Sequence, residues 1–337
     1  MERIVWIDIA KGIGIILVVL GHVNYVSDID YNILRLVYMF HMPLFFFLSG
    51  YLYKKNTDIK GLVKNKFQQL MIPYFASLFV LAPFSSMFKE LYASPDITFT
   101  MVAETIGKLL FGGCYLYDEI GPLWFLPVLF FTQIVYSILC NRLRIQDVHL
   151  VLLLLLMLAY ILSMRYAKDQ LVPFSAHVVM VSLSIYHIGH MYKKSAYKEN
   201  IILVSLLSII SVISIWFYPD NIFSMFSGYY GFPFFTLFCA IVMILLIKNV
   251  SEAIAKNNRL ARFFTSLGKD SLFIMCFHMF FMLNVVKYIS VNPILVIVLT
   301  LIMTYLLALL FDKFALTRAL FKGSRNDIQL IIKKIKK

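Results

Sequence analysis

The sequence predicts an all-α, polytopic membrane bundle of about ten transmembrane helices with both termini in the cytoplasm, and three observations carry that expectation. The first is composition: of 337 residues, 61% are hydrophobic and only 15% charged, with a mean hydropathy of +0.82. Soluble domains run at about 45–50% apolar and about 25% charged. The second is organisation, because apolar stretches close to a bilayer's thickness recur down the chain between short Lys-rich segments. A helix needs about 20 such residues to cross a hydrocarbon core roughly 30 Å thick. The third is the uneven distribution of basic residues between alternate connecting segments.

Helices are expected near 5–26, 33–53, 67–88, 121–140, 148–164, 173–192, 201–218, 228–247, 271–288 and 293–312. The first begins almost at Met1, contains Asp8 and Lys11, and ends at Gly21-His22 rather than at a small-residue cleavage site. It therefore reads as a retained helix and not a signal peptide. The second contains Pro43, which removes a backbone donor and should kink it. The segment 98–112 is too polar at Glu104 and Lys108 to span, and reads as an interfacial helix. The fifth contains VLLLLLMLAYIL (151–162), a run without the alternation of a transmembrane β-barrel strand; helices satisfy their own backbone groups in lipid. Residues 1–315 form the membrane domain in this reading, and 316–337 a basic cytoplasmic tail. Cys114, Cys140, Cys239 and Cys276 are scattered without CxxC spacing, so neither a zinc site nor a disulfide framework is expected.

Ten spans put both ends on one side. With the N-terminus inside, 25 of the 31 Lys and Arg residues fall in inner segments and six (Arg35, Lys89, Lys108, Arg165, Lys168, Lys287) fall outside or at outer helix ends. That is the positive-inside pattern. It also accounts for the net charge of +13: the charge lies in inner loops and in the tail IIKKIKK, where the lipid bilayer, with its anionic headgroups, is the expected partner. Nucleic acid is not.

Ionisable residues inside spans are costly and mark functional candidates. Lys11 and His22 are eleven residues apart, so at 100° per residue they share one face, separated by about 16 Å along the axis. Asp8 lies three residues before Lys11 on nearly the same face. The stripe thus has a charge pair towards the cytoplasm and an imidazole towards the outer end, where a neutral ring is the usual general base near pH 7. The bland alternative has Lys11 snorkelling, Asp8 pairing with it and His22 capping the helix. The second helix adds His41 and Ser49 in FHMPLFFFLSGY (40–51); beside Pro43, His41 could simply satisfy freed carbonyls. His278 sits in SLFIMCFHMF (271–280). His177, His187 and His190 share the sixth helix without a carboxylate, so no metal is expected, and His149 reads as structural. Trp124 in IGPLWFLPVLFF (120–131) is either an interfacial anchor or a pocket residue.

Together, WIDIAKGIGIILVVLGH (6–22), FHMPLFFFLSGYLYKK (40–55), GPLWFLPVLFF (121–131) and LGKDSLFIMCFH (267–278) resemble the acyltransferase 3 family of membrane-bound O-acyltransferases, and within it the fucose 4-O-acetylase-like branch. The resemblance runs in order over almost the whole chain. It implies transfer of an acyl group, usually acetyl from cytosolic acetyl-CoA, to a hydroxyl of a cell-surface or exported carbohydrate. It implies a multi-pass protein of a bacterial inner or plasma membrane. By the same resemblance His22 is the key catalytic residue, with Lys11 (in place of the more usual Arg) and Asp8 beside it. Lys11, Lys64 and Lys66 are the donor-binding candidates, and His41, Ser49, Trp124 and His278 are second-tier candidates for the substrate pocket. The family's second basic pair departs here: in KNKFQQLMIPY (64–74) Lys66 matches its first position, but Gln69 stands at its second.

Acyl-CoA, a carbohydrate acceptor and the bilayer are thus the expected partners, acetyl-CoA acting as donor substrate and no metal being needed; a homo-oligomer is left open. His22 would act either as general base or as acyl carrier. The rival reading is a transporter or flippase of a polysaccharide intermediate, which composition suits equally well. An inverted-repeat transporter should pair the broken second helix with a matching one in the other half, and the sequence shows none.

Overall fold

The computed structural model describes residues 4–23, 30–166, 172–195 and 199–335. Of the basic residues counted above, Arg3, Lys168, Lys198, Lys336 and Lys337 lie outside these. Every named element among the described residues is helical; the pairing of Ser224 with Tyr229 is an isolated bridge. In chain order the α-helices are α1 (Val5–His22), α2 (Tyr31–Tyr51), α3 (Ile59–Lys66), α4 (Ile72–Leu81), α5 (Ser86–Ala93), α6 (Phe99–Phe111), α7 (Phe125–Arg142) and α8 (Ile145–Tyr166). They continue with α9 (Val179–Ser195), α10 (Ile201–Phe217), α11 (Phe235–Ala255), α12 (Asn258–Lys269), α13 (Ser271–Tyr288), α14 (Pro293–Phe311), α15 (Ala315–Lys322) and α16 (Arg325–Ile335). Among the described residues, eight helical stretches are long and apolar enough to cross a membrane, and Ile201–Phe217 is a shorter apolar helix.

The chain divides into two compact units, the first made of Met1–Lys55, Leu143–Asp169 and Met180–Ser271. Helices in lipid gain little from apolar burial against one another, so close backbone approach at small residues decides which of them pack. Two reciprocal contacts do this here. A Cβ on Gly12 of α1 would lie 2.1 Å from the Phe264 carbonyl oxygen on α12, and one on Gly268 of α12 would lie 1.9 Å from the Asp8 carbonyl oxygen on α1. Likewise a Cβ on Gly50 of α2 would meet the Tyr186 oxygen at 1.9 Å, and one on Gly189 of α9 the Phe47 oxygen at 2.1 Å. No side chain fits at any of the four. At the other end of α2, buried Arg35 donates to Asn32 Oδ1 at 3.0 Å and to the carbonyls of Ile215 and Tyr218, which end α10. A cation there complements the negative end of the helix dipole.

Helix starts differ from their sequence expectation for local reasons, as at α11. The helix expected at 228–247 runs from Phe235 to Ala255. Gly231 has φ +61° and is followed by Pro233, while Thr236 Oγ1 accepts from the Phe232 amide at 2.9 Å and donates to Asn221 Oδ1 at 2.6 Å. These bonds hold residues 221–234 as a loop over the helix start.

The second unit comprises Asn56–Arg142, Gln170–Val179 and Leu272–Lys337. Its first span starts earlier than the expected 67–88 and is not a regular helix. Pro73 cannot donate to the carbonyl of Gln69, and the ladder loosens over Phe67–Met71 into a π-helical stretch in which the Ile72 amide reaches the Phe67 carbonyl. π-bulges of this kind are frequent at functional sites. Gly323, in the left-handed region at φ +62°, ends α15 against that stretch; a Cβ there would be 2.7 Å from Gln69 Cα. The segment 98–112 forms α6, whose only buried residue is Leu109 and whose Glu104 and Lys108 pair at 2.6 Å.

Replacing Gly189 with Val should destabilise the protein by roughly 1–3 kcal/mol, the usual cost of overpacking. Gly107→Ala, in a helix where nothing lies within 4 Å of the new Cβ, should leave stability unchanged or slightly raised. Thermal unfolding of the two variants in one detergent checks this; equal midpoints would contradict it.

Candidate functional site

The first unit holds Asp8, Lys11, His22, His41 and Ser49. At the C-terminal end of α1 the ring of Tyr38 lies between the two histidines, its centroid 6.3 Å from that of His22 and 5.2 Å from that of His41, edge-to-face with both. The Tyr38 hydroxyl donates to the Gly21 carbonyl at 3.1 Å and so ties α2 to the last turn of α1. His41 is buried, and its Nδ1 lies 2.8 Å from the Val37 carbonyl. A carbonyl only accepts, so Nδ1 carries the proton, and in the neutral ring Nε2 is the acceptor. The carbonyl freed by Pro43 would be that of Met39, so this bond is not a repair of the proline gap. His22 itself is half-buried.

Asp8 and Lys11 are at the opposite end of α1, next to α12. Asp8 is 8% exposed, although it is ionisable and within an apolar helix, and its carbonyl is the atom that Gly268 packs against. Ser49 is on α2, eight residues or about 12 Å beyond His41. The face seen in the sequence is thus present as a helix with its carboxylate and ammonium at one end and a His–Tyr–His cluster at the other. Tyr38 escaped the sequence reading because an aromatic residue in a membrane helix carries no signal by itself. Its position one turn before His41 was the available clue.

The other histidines group separately. His187 and His149 have ring centroids 4.8 Å apart, and His190 lies 4.7 Å from Tyr53. Among the described residues no three His, Cys, Asp or Glu side chains are grouped closely enough to hold a metal ion.

The second unit holds Lys64, Lys66, Trp124 and His278. Lys64 and Lys60 border a cavity of about 610 Å³, lined otherwise by Gln68 and by apolar residues of α3, the π-helical stretch, α4 and α16. Half-buried Lys66 stands close enough to Arg325, the first residue of α16, for the two charges to repel. The tail thus supplies a second cation near the position where Gln69 offers none. Trp124 is 7% exposed, hence not a lipid-facing anchor, and meets Phe125 edge-on. His278 is fully buried, and its Nδ1 lies 2.9 and 3.1 Å from the carbonyls of Met275 and Ile274, which again fixes the proton on that nitrogen.

The tail is held in place by a bidentate pair. Arg318 Nε and one terminal nitrogen donate to the two Asp327 oxygens at 2.9 and 2.8 Å, and Ser324 donates to Oδ2 at 2.5 Å. The Arg318 hydrogen bond, aided by that of Ser324, holds the Asp327 carboxyl down at about 2.

A family model described as an acyltransferase domain, Acyl_transf_3, matches residues 4–313. No curated protein and no solved structure matches the chain.

Because the folded-state pKa of Asp327 lies below its ordinary value, the pair's contribution is complete above about pH 4 and is lost as the pH falls through about 2. Hydrogen-exchange protection of α15 and α16, corrected for intrinsic rates, should therefore hold from about pH 7 to about pH 5 and fall below about pH 4. In Asp327→Asn it should already be reduced at neutral pH. Equal protection in variant and wild type would show that the pair does not hold the tail.

Proposed function

The chain belongs to the Acyl_transf_3 family of membrane acyltransferases, and we propose that it transfers an acetyl group from cytosolic acetyl-CoA to a hydroxyl of a cell-surface or exported carbohydrate, as the fucose 4-O-acetylase-like branch would. The observation that carries this reading is the clustering of His22 with Tyr38 and His41 at one end of a helix whose other end holds Asp8 and Lys11.

In this account the Lys-rich ends of the spans face the cytoplasm. Lys11 is the phosphate-binding candidate of the first unit, and the second unit offers Lys64, with Lys60 on the same cavity rim, and Lys66 with Arg325 beside it. Ammonium groups hold phosphate as point charges, where guanidinium groups would grip it bidentately. The pantetheine arm then spans a distance comparable with the 16 Å or so between Lys11 and His22, which brings the thioester to the His22 end. His22 takes the proton of the acceptor hydroxyl as the oxygen attacks the thioester carbonyl. The C–S bond breaks, the thiolate of CoA takes up the proton, and the products are an ester and free CoA. In the two-step variant the imidazole itself carries the acyl group before the hydroxyl receives it. His41 and Ser49 in the first unit, and Trp124 and His278 in the second, are the substrate-pocket candidates.

Inverted membrane vesicles carrying the protein and supplied with radiolabelled acetyl-CoA should incorporate label into membrane glycan, while sealed right-side-out vesicles should not. Lys60→Glu with Lys64→Glu should raise the KM for acetyl-CoA about tenfold, since each replaces an attraction to phosphate by a repulsion. Equal labelling in both vesicle orientations, or no labelling in either, would overturn the proposal.

A further inference from the structure

A second cavity, of about 430 Å³, lies in the second unit. Its walls come from three helix ends. Phe84 ends the span that begins at Ile59, with Ser86 and Lys89 just after it, Asp118 and Glu119 open the span that ends at Arg142, and Leu283, Asn284, Lys287 and Tyr288 close α13. The opposite ends of the first two spans also meet, where Asn141 Nδ2 donates to the Asn56 carbonyl at 2.6 Å. Those ends adjoin Lys60, Lys64 and Arg142. If the basic ends are cytoplasmic, this cavity opens on the outer face.

Its chemistry is polar and balanced: two carboxylates, two ammonium groups, a serine, an amide and two aromatic rings. Lys89 Nζ pairs with Glu119 Oε1 at 2.6 Å, Ser86 donates to Asp118 Oδ2, Asn284 donates to the Phe280 carbonyl at 2.7 Å, and Lys287 Nζ lies 4.9 Å from the centre of the Tyr288 ring. One group is left over. The Glu119 side chain is only 5% exposed, and its second oxygen, Oε2, is buried without a hydrogen-bond donor from the protein. A buried carboxylate oxygen is costly unless a donor reaches it. Asp118 beside it adopts φ +50°, a backbone conformation rare for a non-glycine residue. Strain of this sort persists where the surroundings over-determine it, and it concentrates at binding sites.

We propose that this cavity binds a neutral polyhydroxylated ligand, of the size of one sugar ring, by a ligand hydroxyl that donates to the Glu119 carboxylate. The zero net charge of its four ionic groups favours a neutral ligand. Lys89 and Lys287 donate to the ligand's other oxygens, and the rings of Phe84 and Tyr288 offer flat apolar faces to its C–H surface. The volume falls within the range of small-molecule sites. The assignment rests on the transferase reading for the outward orientation; the binding itself does not depend on it.

The test is saturation-transfer NMR on the full-length protein in nanodiscs, titrated with the methyl pyranosides of glucose, galactose and mannose. At least one should bind saturably to wild type. Glu119→Gln should weaken that binding about tenfold or more, because it exchanges a charge-assisted acceptor for a neutral one. Tyr288→Ala, at a residue 70% exposed and so safe for folding, should weaken it several-fold. Glu104→Gln, in the exposed ion pair of α6, should not change it. No saturable binding by wild type, or equal binding by wild type, Glu119→Gln and Tyr288→Ala, overturns the site. Sugar binding without acetyl transfer would remove the transferase reading and leave the site; transfer with no sugar binding would do the reverse.

Discussion

The contact between α1 and α12 is the constraint on which the first unit depends. Gly12 and Gly268 bring the two backbones so close that each presses on a carbonyl of the other helix, and at such a distance neither helix can rotate without a clash. The rotation of α1 is thereby fixed. Everything attributed to that helix follows from its rotation: Asp8 is buried beside α12, and His22, on the same face about four turns later, points to Tyr38 and His41. A bilayer supplies no hydrophobic force to set this angle, so backbone fit does it. The second close approach, of Gly50 and Gly189, fixes α2 against α9 in the same way. Two helices with set rotations are enough to hold three rings together.

The second unit solves a different problem. Its first span is interrupted at Pro73, and an interrupted helix within a membrane must have its backbone groups satisfied from elsewhere. The C-terminal segment comes back to that point. Gly323 allows a turn that no side chain could occupy, and the Arg318–Asp327 pair keeps α15 and α16 folded against the π-helical stretch. The return also places Arg325, Ile328 and Ile332 around Lys66 and the cavity bordered by Lys64. A tail that the sequence presents as a basic appendage is a structural part of that cavity.

The fold class was legible because lipid permits few alternatives: long apolar runs must be helices, and eight of them are long enough to span. Less legible were elements whose residues serve partners and not the bilayer. Helix α12 is short, amphipathic and basic, with Leu267 and Gly268 its buried residues, so a twenty-residue hydropathy window passes over it. The start of α11 was misjudged because the aromatic loop before it is as apolar as a helix. In the candidate site, the spacing of Lys11 and His22 and the presence of His41 could be read directly. Tyr38 could not, and neither could Glu119 of the second unit's cavity. The first is an unremarkable aromatic residue until its neighbours are known, and the second stands just ahead of an apolar run, where a carboxylate is expected to be solvated. Its burial depends on Lys89, thirty residues away in sequence.

The central claim is that acyl transfer runs through His22. A single-turnover experiment with radiolabelled acetyl-CoA, purified protein in nanodiscs and membrane glycan as acceptor measures it most directly, by following release of the CoA thiol in wild type and in His22→Ala. General acid–base catalysis is worth about 10²–10⁴-fold, so the account predicts a loss of at least about 10²-fold in the variant with donor binding retained. Thiol release at the wild-type rate in His22→Ala would contradict it.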